Sequence, residues 1–304
     1  MRPQSVEKFH TMGRVLIGPA GFLALVTFIN PRLSFAQSPA SAAKFEVAAI
    51  RPTRPNVDCV GHELGWSPRI SPRRFSLGCI SAMQLVREAY GRFANGRLNP
   101  PESIPEVIGG PAWFRSGGYN IDATTEDAAS RELMNGPMLQ SLLEDRFKLK
   151  IHRETREVPV YALNVGKAGS KLRPFKEGGC VLFDFDRGFY ELPPGGKFCD
   201  ALIGGRPGFT ITLEAQGAST ALIGWLLGHY VDRPIVDRTG LAGMFDAHME
   251  FLPEQTAGQA LSLDPAGGAS IFTAVREQLG LSLDPSKGPV EVLVIDQVER
   301  PSEN

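Results

Sequence analysis

The chain has 304 residues, 42% of them hydrophobic and 21% charged, with a formal net charge of −1. That balance excludes a disordered chain, and it supplies no basic face to neutralise nucleic-acid phosphates. The length admits one large domain or two ordinary ones.

At the N-terminus, Arg2, Lys8 and Arg14 precede an apolar run, VLIGPAGFLALVTFI, and then the small residues of SFAQSPASAA. This is the pattern of a signal peptide over residues 1–36, cut after Ala36. The apolar run is shorter than the ~20 residues that span a bilayer; an uncleaved N-terminal anchor is the alternative. No later stretch is long and apolar enough to cross a membrane, so the mature chain is expected to be exported, periplasmic or extracellular. Removing residues 1–36 takes away four basic residues and one acidic one and leaves a net charge of −4.

Residues 37–44 form a polar linker. A first α+β module is expected over 45–165. FEVAAIRP reads as a strand and residues 53–73, rich in Pro, Gly and Arg, as a loop. RFSLGCI is a strand. SAMQLVREAYG is a helix with Met83, Val86 and Tyr90 on one face and Gly91 as its stop. Residues 92–118, with Pro100, Pro101, Pro105 and the GGPAW stretch, read as a long loop. YNIDATT is a strand. GPMLQSLLEDRF is a helix with Pro137 in its first turn. FKLKIH and VPVYALNV are expected to pair as a hairpin around RETRE. Residues 166–208 hold ten glycines and four prolines and read as an irregular linker.

The second module, 209–304, repeats the order. GFTITLEA is a strand and GASTALIGWLLGHYV a helix, with Leu222, Trp225, Leu226 and Tyr230 on or near one face. RPIVD and MFDAHMEFL are strands around the turn TGLAG. SIFTAVREQLG is a helix capped by Ser270. LGLSLD and PVEVLVID form a last hairpin turning at Lys287-Gly288-Pro289. The ends of the two modules match without gaps at an offset of 132: Phe147 with Leu279, Leu149 with Leu281, Ile151 with Leu283, Val158 with Val290, Val160 with Val292 and Leu163 with Ile295. The fold expected is therefore α+β, a tandem duplication of one strand–helix–strand, helix–strand–strand module with antiparallel hairpins.

Four cysteines, Cys59, Cys79, Cys180 and Cys199, suit disulfides in an exported chain. Sequential pairing is the simplest, closing two loops of about twenty residues; the other connectivities stay open. A zinc site is the alternative, but the four are not in CxxC pairs and no histidine is suitably spaced.

FEVAAIRP, GGPAWFRSGGYNIDA, LLEDRFKLKIHRETREVPVYALNVGKAGSKL, RPIVDRTGLAGMFD and GPVEVLVIDQVERPSEN, in that order, resemble a family of uncharacterised exported proteins expanded in soil bacteria and named only as a domain of unknown function. Some members of that family carry the module beside a BlaR-type membrane peptidase, which implies extracytoplasmic sensing. The order ALIGWLL, RPIVDRTGLAGMFDAHMEF and IFTAVREQLGLSLDPSKGPVEVLVI is also similar to the small N-terminal module of secretins and TonB-dependent receptors. Such modules dock protein partners in the envelope.

Motifs for chemistry are sparse. Ser41-Ala42-Ala43-Lys44 fits S-x-x-K, but it lies in a linker without SDN or KTG partners and reads as a chance match. His62-Glu63 lacks the second histidine of a zinc peptidase. His10 leaves with the signal peptide, and His152, His229 and His248 stand singly. Asp184 and Asp186 lack the rest of a calcium loop. Nothing names a catalytic residue, cofactor or metal. Asp122, Glu126, Asp237, Asp246 and Glu250 leave room for a glycosidase pair if a cleft brings two together. Trp113 and Phe114 are candidates for an aromatic platform, or else they cap the core. Asp237 and Arg238, in DRTG, are a candidate recognition turn, or else fix that turn. These features favour a non-catalytic envelope protein that binds, docks or senses an envelope protein or cell-wall polymer. The alternatives are a hydrolase of envelope polymers and a carbohydrate-binding module.

Overall fold

The computed structural model describes residues 43–53, 69–187, 191–192, 194–205, 210–252 and 269–301. Residues 1–36, expected as a signal peptide, and Cys59, His62 and Ser41 lie outside the described residues. Ser41–Asn304 is one compact unit, and the fold is α+β. Among the described residues no helix is long and apolar enough to cross a membrane.

Two outer sheets have one plan. The first orders β1 (Val47–Pro52), β5 (Gly118–Thr124), β3 (Arg74–Ser81) and β2 (Arg69–Ser71). The other orders β7 (Arg173–Pro174), β11 (Phe245–Phe251), β9 (Ile211–Ala218) and β8 (Ala201–Gly204). Within each, the strands run first–fourth–third–second in chain order, all antiparallel. Alternation buries Tyr119, Ile121 and Ala123 of β5 and Phe245, Ala247, Met249 and Phe251 of β11, so each sheet has one apolar face. A bulge interrupts β3 between Leu77 and Ile80, and its counterpart falls opposite Phe245 and Ala247. The bulged residues, Cys79 and Gly217, have positive φ of 55° and 67°. Each N–H donates, at 3.0 Å, to a side chain of the neighbouring strand, Asn120 and Asp246 respectively. The bulge N–H that leaves the ladder is thereby satisfied.

A serine follows each bulge and caps the next helix. Ser81 caps α1 (Ala82–Val86) in a capping box with Gln84, and the chain continues in wider, π-type turns over Arg87–Arg92. Between β4 (Glu106–Gly109) and β5 lies the short α2 (Ala112–Ser116). Ser130 caps a helical stretch that starts at Arg131, passes through wide turns at Met134–Met138 and becomes α3 (Leu139–Arg146). The helix thus begins a turn and a half before the expected start, with Pro137 inside it. The wide turns absorb the N–H that proline lacks. Gly136 is required there because a Cβ would stand 2.1 Å from the Phe93 carbonyl oxygen. In the second half Ser219 caps α4 (Thr220–Leu227) and Ser270 caps α5 (Ile271–Gln278), as expected for Ser270.

The expected hairpins do not form. RETRE is not a turn, and Lys287-Gly288-Pro289 is not one either. Lys150–Val165 is one strand, β6, and Leu281–Gln297 another, β12, and they pair with each other antiparallel along their length. The register sets Glu157 opposite Pro289, residues 132 apart. The two like stretches therefore cross at equivalent positions. β10 (Ile235–Asp237) flanks β6 only at Tyr161–Leu163, and β4 flanks β12 only at Val292–Ile295. Pro159, Pro285 and Pro289 fall in the middle of the ribbon, where these short strands do not reach and a missing N–H breaks no ladder.

An unbroken strand also fixes which residues share a face. Leu149, Ile151, Leu293 and Ile295 join the first core, around Phe75, Phe114 and Phe147. Tyr161, Leu163, Leu281 and Leu283 join the second, around Met249, Phe251 and Ile271. Val160, Ala162 and Val292 are buried on the opposite face. A continuous period of two sets Val160 on the face opposite Tyr161. The two halves therefore have separate cores joined by one shared sheet.

Residues 166–208 are not wholly irregular, since they supply both edge strands of the second outer sheet, β7 and β8. Cys180 and Cys199 are joined by a disulfide in this segment. Cys79 is disulfide-bonded as well.

Candidate functional site

The crossover from α1 to β4, residues 97–105, runs between the two halves. Beside it opens a groove of about 900 Å3. It is lined by Trp225 of α4 and by His229 in the 3-10 turn that follows α4. The rings of these two meet edge to face with centroids 4.6 Å apart, and His229 Nδ1 lies 3.0 Å from the Trp225 carbonyl oxygen. Glu102 of the crossover, Glu106 at the start of β4 and Pro289–Glu291 in the middle of β12 line it too. Asp237 is among its lining residues.

The acids differ in their partners. Glu102 Oε1 accepts from Ser219 Oγ at 3.4 Å, while its Oε2 is buried with no hydrogen-bond partner. Glu291 is paired with Arg153, whose Nη2 also donates to the Tyr90 carbonyl at 2.5 Å. Asp237 is fully engaged: Thr220 Oγ1 donates to Oδ2 at 2.5 Å, and Thr239 donates to Oδ1 through its N–H and its hydroxyl.

A second cavity of about 320 Å3 adjoins the groove and shares Ile104 and Trp225 with it. Its wall from the first half is the π-type turn after α1, which carries Arg87, Glu88 and Arg92. Glu88 is 7% exposed. Its Oε1 is 3.9 Å from Arg92 Nη1, and its Oε2 has no hydrogen-bond partner. Burial raises its pKa from 4.5 to about 7, against the opposing pull of Arg92 and then Arg87. The disulfide-closed segment brings Phe185 to the same cavity.

The residues singled out in the sequence lie elsewhere, with one exception. Phe114 is wholly buried in the first core, and Trp113 packs on that core with the Arg300 guanidinium 5.4 Å over its ring. Arg238 reaches across to Ser286 Oγ and the Lys287 carbonyl, at 3.1 and 2.8 Å. With Asp237 it fixes the turn. Asp237 alone also borders the groove. Asp122 bonds Ser76, Asp246 closes its bulge, and Asp184 caps a turn through the N–H groups of Asp186 and Arg187. The expected carboxylates are thus dispersed. His152 and His248 sit in exposed pairs with Asp296 and Glu214, at 2.9 and 2.6 Å. Among the described residues no group of three or more His, Cys, Asp or Glu is placed to hold a metal.

Sequence reasoning missed Glu88, Glu102 and Glu291. One signal for Glu88 was present. It lies three residues after Leu85 and next to Ala89, on the buried stripe of its helix, and an acid on such a stripe is rarely unpaired without a reason. Trp225 was visible as an apolar-face residue, but its place at a rim was not.

A search of curated proteins finds no match, and neither does a search of solved structures. A family profile, described as protein of unknown function (DUF3738), matches residues 92–298, a span that holds the crossover, both long strands and every residue named above as lining the groove. The chain belongs to that DUF3738 family of proteins of unknown function.

Proposed function

We propose that this chain is an exported, non-catalytic envelope protein that binds, docks or senses through the groove between its halves. The observation that carries the reading is the make-up of that groove: α4 of one half, the crossover from the other and the shared strand β12 each supply a wall. A ligand seated there touches both halves, and sites between substructures of this kind are common places for binding. The signal-peptide pattern and the Cys180–Cys199 disulfide support export. The resemblance to envelope docking modules and to sensors beside membrane peptidases supports the same role. We also read the chain as a tandem duplication, supported by the shared strand order, the paired bulges and serine caps, and the crossing at Glu157 and Pro289.

The test is photocrosslinking in the native envelope, with a photoreactive residue at Ala221, which lines the groove, or at Val47, exposed on an outer sheet. A covalent product from position 221 alone supports groove binding. Equal capture at both positions, or none at 221, refutes it.

One observation favours hydrolysis as a second reading: Glu88, held at about 7, has the protonation range of a general acid. Incubation with purified cell-wall polymer, read as new reducing ends, checks it. Release that vanishes in Glu88→Gln would establish an enzyme; no release in the native protein removes this reading.

A further inference from the structure

We propose that the cavity over Glu88 is a binding site for a single residue of an uncharged saccharide, stacked between Trp225 and Phe185 and hydrogen-bonded to Glu88 and Asn99. This rests on the reading of the adjoining groove as a binding site and names the ligand class for its inner end.

The argument begins with Glu88. It is more than nine-tenths buried, it lines the cavity, and one carboxyl oxygen lacks a partner. Leaving such a group unpaired is costly, and each instance in a folded protein asks for an explanation. Glu88 lines the cavity, so a turn of its carboxyl group toward that space lets a ligand hydroxyl supply the missing donor. The flanking charges narrow the chemistry. Arg87 and Arg92 line the same cavity and disfavour an ammonium group, while Glu88 disfavours a carboxylate or phosphate. A neutral ligand with several hydroxyls meets both constraints, because each hydroxyl both donates and accepts.

The remaining walls fit the same class. Trp225 and Phe185 come from different segments and border one small space. Aromatic faces take the apolar C–H face of a sugar ring, and Asn99 adds an amide at the rim. Asn99 is held in place: its Nδ2 donates to the Gly91 carbonyl and its N–H to that of Arg92, both at 2.8 Å. A volume of about 320 Å3 suits a small ligand or one unit of a chain continuing into the groove.

The experiment is titration of the purified full chain with chitotetraose, cellotetraose and maltotetraose, with spermidine and inorganic phosphate as charged probes. Binding is read by saturation-transfer NMR and intrinsic fluorescence. The expected result is saturable binding of at least one oligosaccharide and of neither charged probe. Trp225→Ala and Phe185→Ala should each weaken it at least tenfold with an unchanged circular dichroism spectrum. Phe185 lies on a loop, so its variant keeps the test valid if Glu88→Gln or Trp225→Ala fails to fold. Failure of all three oligosaccharides to bind overturns the proposal, as does preference for a charged probe or indifference to both aromatic substitutions. If position 221 still crosslinks in the envelope, only the saccharide assignment falls; if it does not, the groove reading falls too.

Discussion

Where a helix hands over to its long strand, the two halves make the same backbone turn with different residues. Lys148, between Phe147 and Leu149, has φ of 51°; Gly280, between Leu279 and Leu281, has φ of 67°. Lys148 has room, and its Nζ reaches back to the Asp145 carbonyl at 2.7 Å. Gly280 has none, because a Cβ would lie 2.3 Å from the Gly169 carbonyl oxygen, in the segment that crosses over it. Backbone geometry is the common demand, and the residue allowed is set by what packs outside it. The buried acid follows the same logic. The turn after α1 carries Glu88, while the first helix of the second half runs through Ile223, Gly224 and Leu227 without a charge.

The comparison can be broken most severely at the anchors of the two cores. Phe147→Ala should cost about 3–5 kcal/mol and Leu279→Ala about 2–5 kcal/mol, as measured by chemical denaturation. Hydrogen exchange should show the loss falling mainly in the half that was cut, because the cores are separate; loss spread evenly over both halves would contradict two cores.

Replacing Cys180 and Cys199 with serine should cost about 3 kcal/mol by loop entropy, and non-reducing peptide mapping should find the native pair bonded.

Glu88 makes stability depend on pH. Its folded pKa is raised, so the folded protein holds the proton more tightly than the unfolded chain does. The stabilisation is full below 4.5 and is lost as pH rises through about 7. The difference between pH 4 and pH 8 is about 3 kcal/mol. Denaturation of Glu88→Gln should show this slope gone and the variant more stable than the native chain at pH 8.

The smallest effects sharpen the first comparison. Gly280→Ala should destabilise by about 2 kcal/mol or more, from strain at positive φ and the clash together. Lys148→Gly should be neutral or stabilise by up to about 1 kcal/mol, since it relieves a non-glycine residue of the left-handed region. Equal shifts in melting temperature for both variants would mean that the two turns are not packed differently.

Much of this architecture is legible along the chain. Alternation located β1, β3, β5, β9 and β11, and Ser270 announced its helix, because these signals depend on near neighbours. The pairing of β6 with β12 was not legible. RETRE and LDPSKGP both resemble turns locally, and only a partner more than a hundred residues away makes each of them a strand. The edge strands β7 and β8 were hidden for a similar reason: a two- or four-residue strand has no periodicity of its own and exists because β11 and β9 offer an edge. Cys79 and Gly217 show a bulge only once their neighbours Asn120 and Asp246 are in place.

By itself the sequence determined the α+β class, the order of most helices and strands and the match between two stretches at an offset of 132. These follow from local periodicity and composition. The tertiary structure alone decided that the two like stretches pair with each other, that two cores share one sheet, and that Glu88, Trp225 and Phe185 border one cavity. Those residues come from three separate segments, and only packing across the junction brings them together.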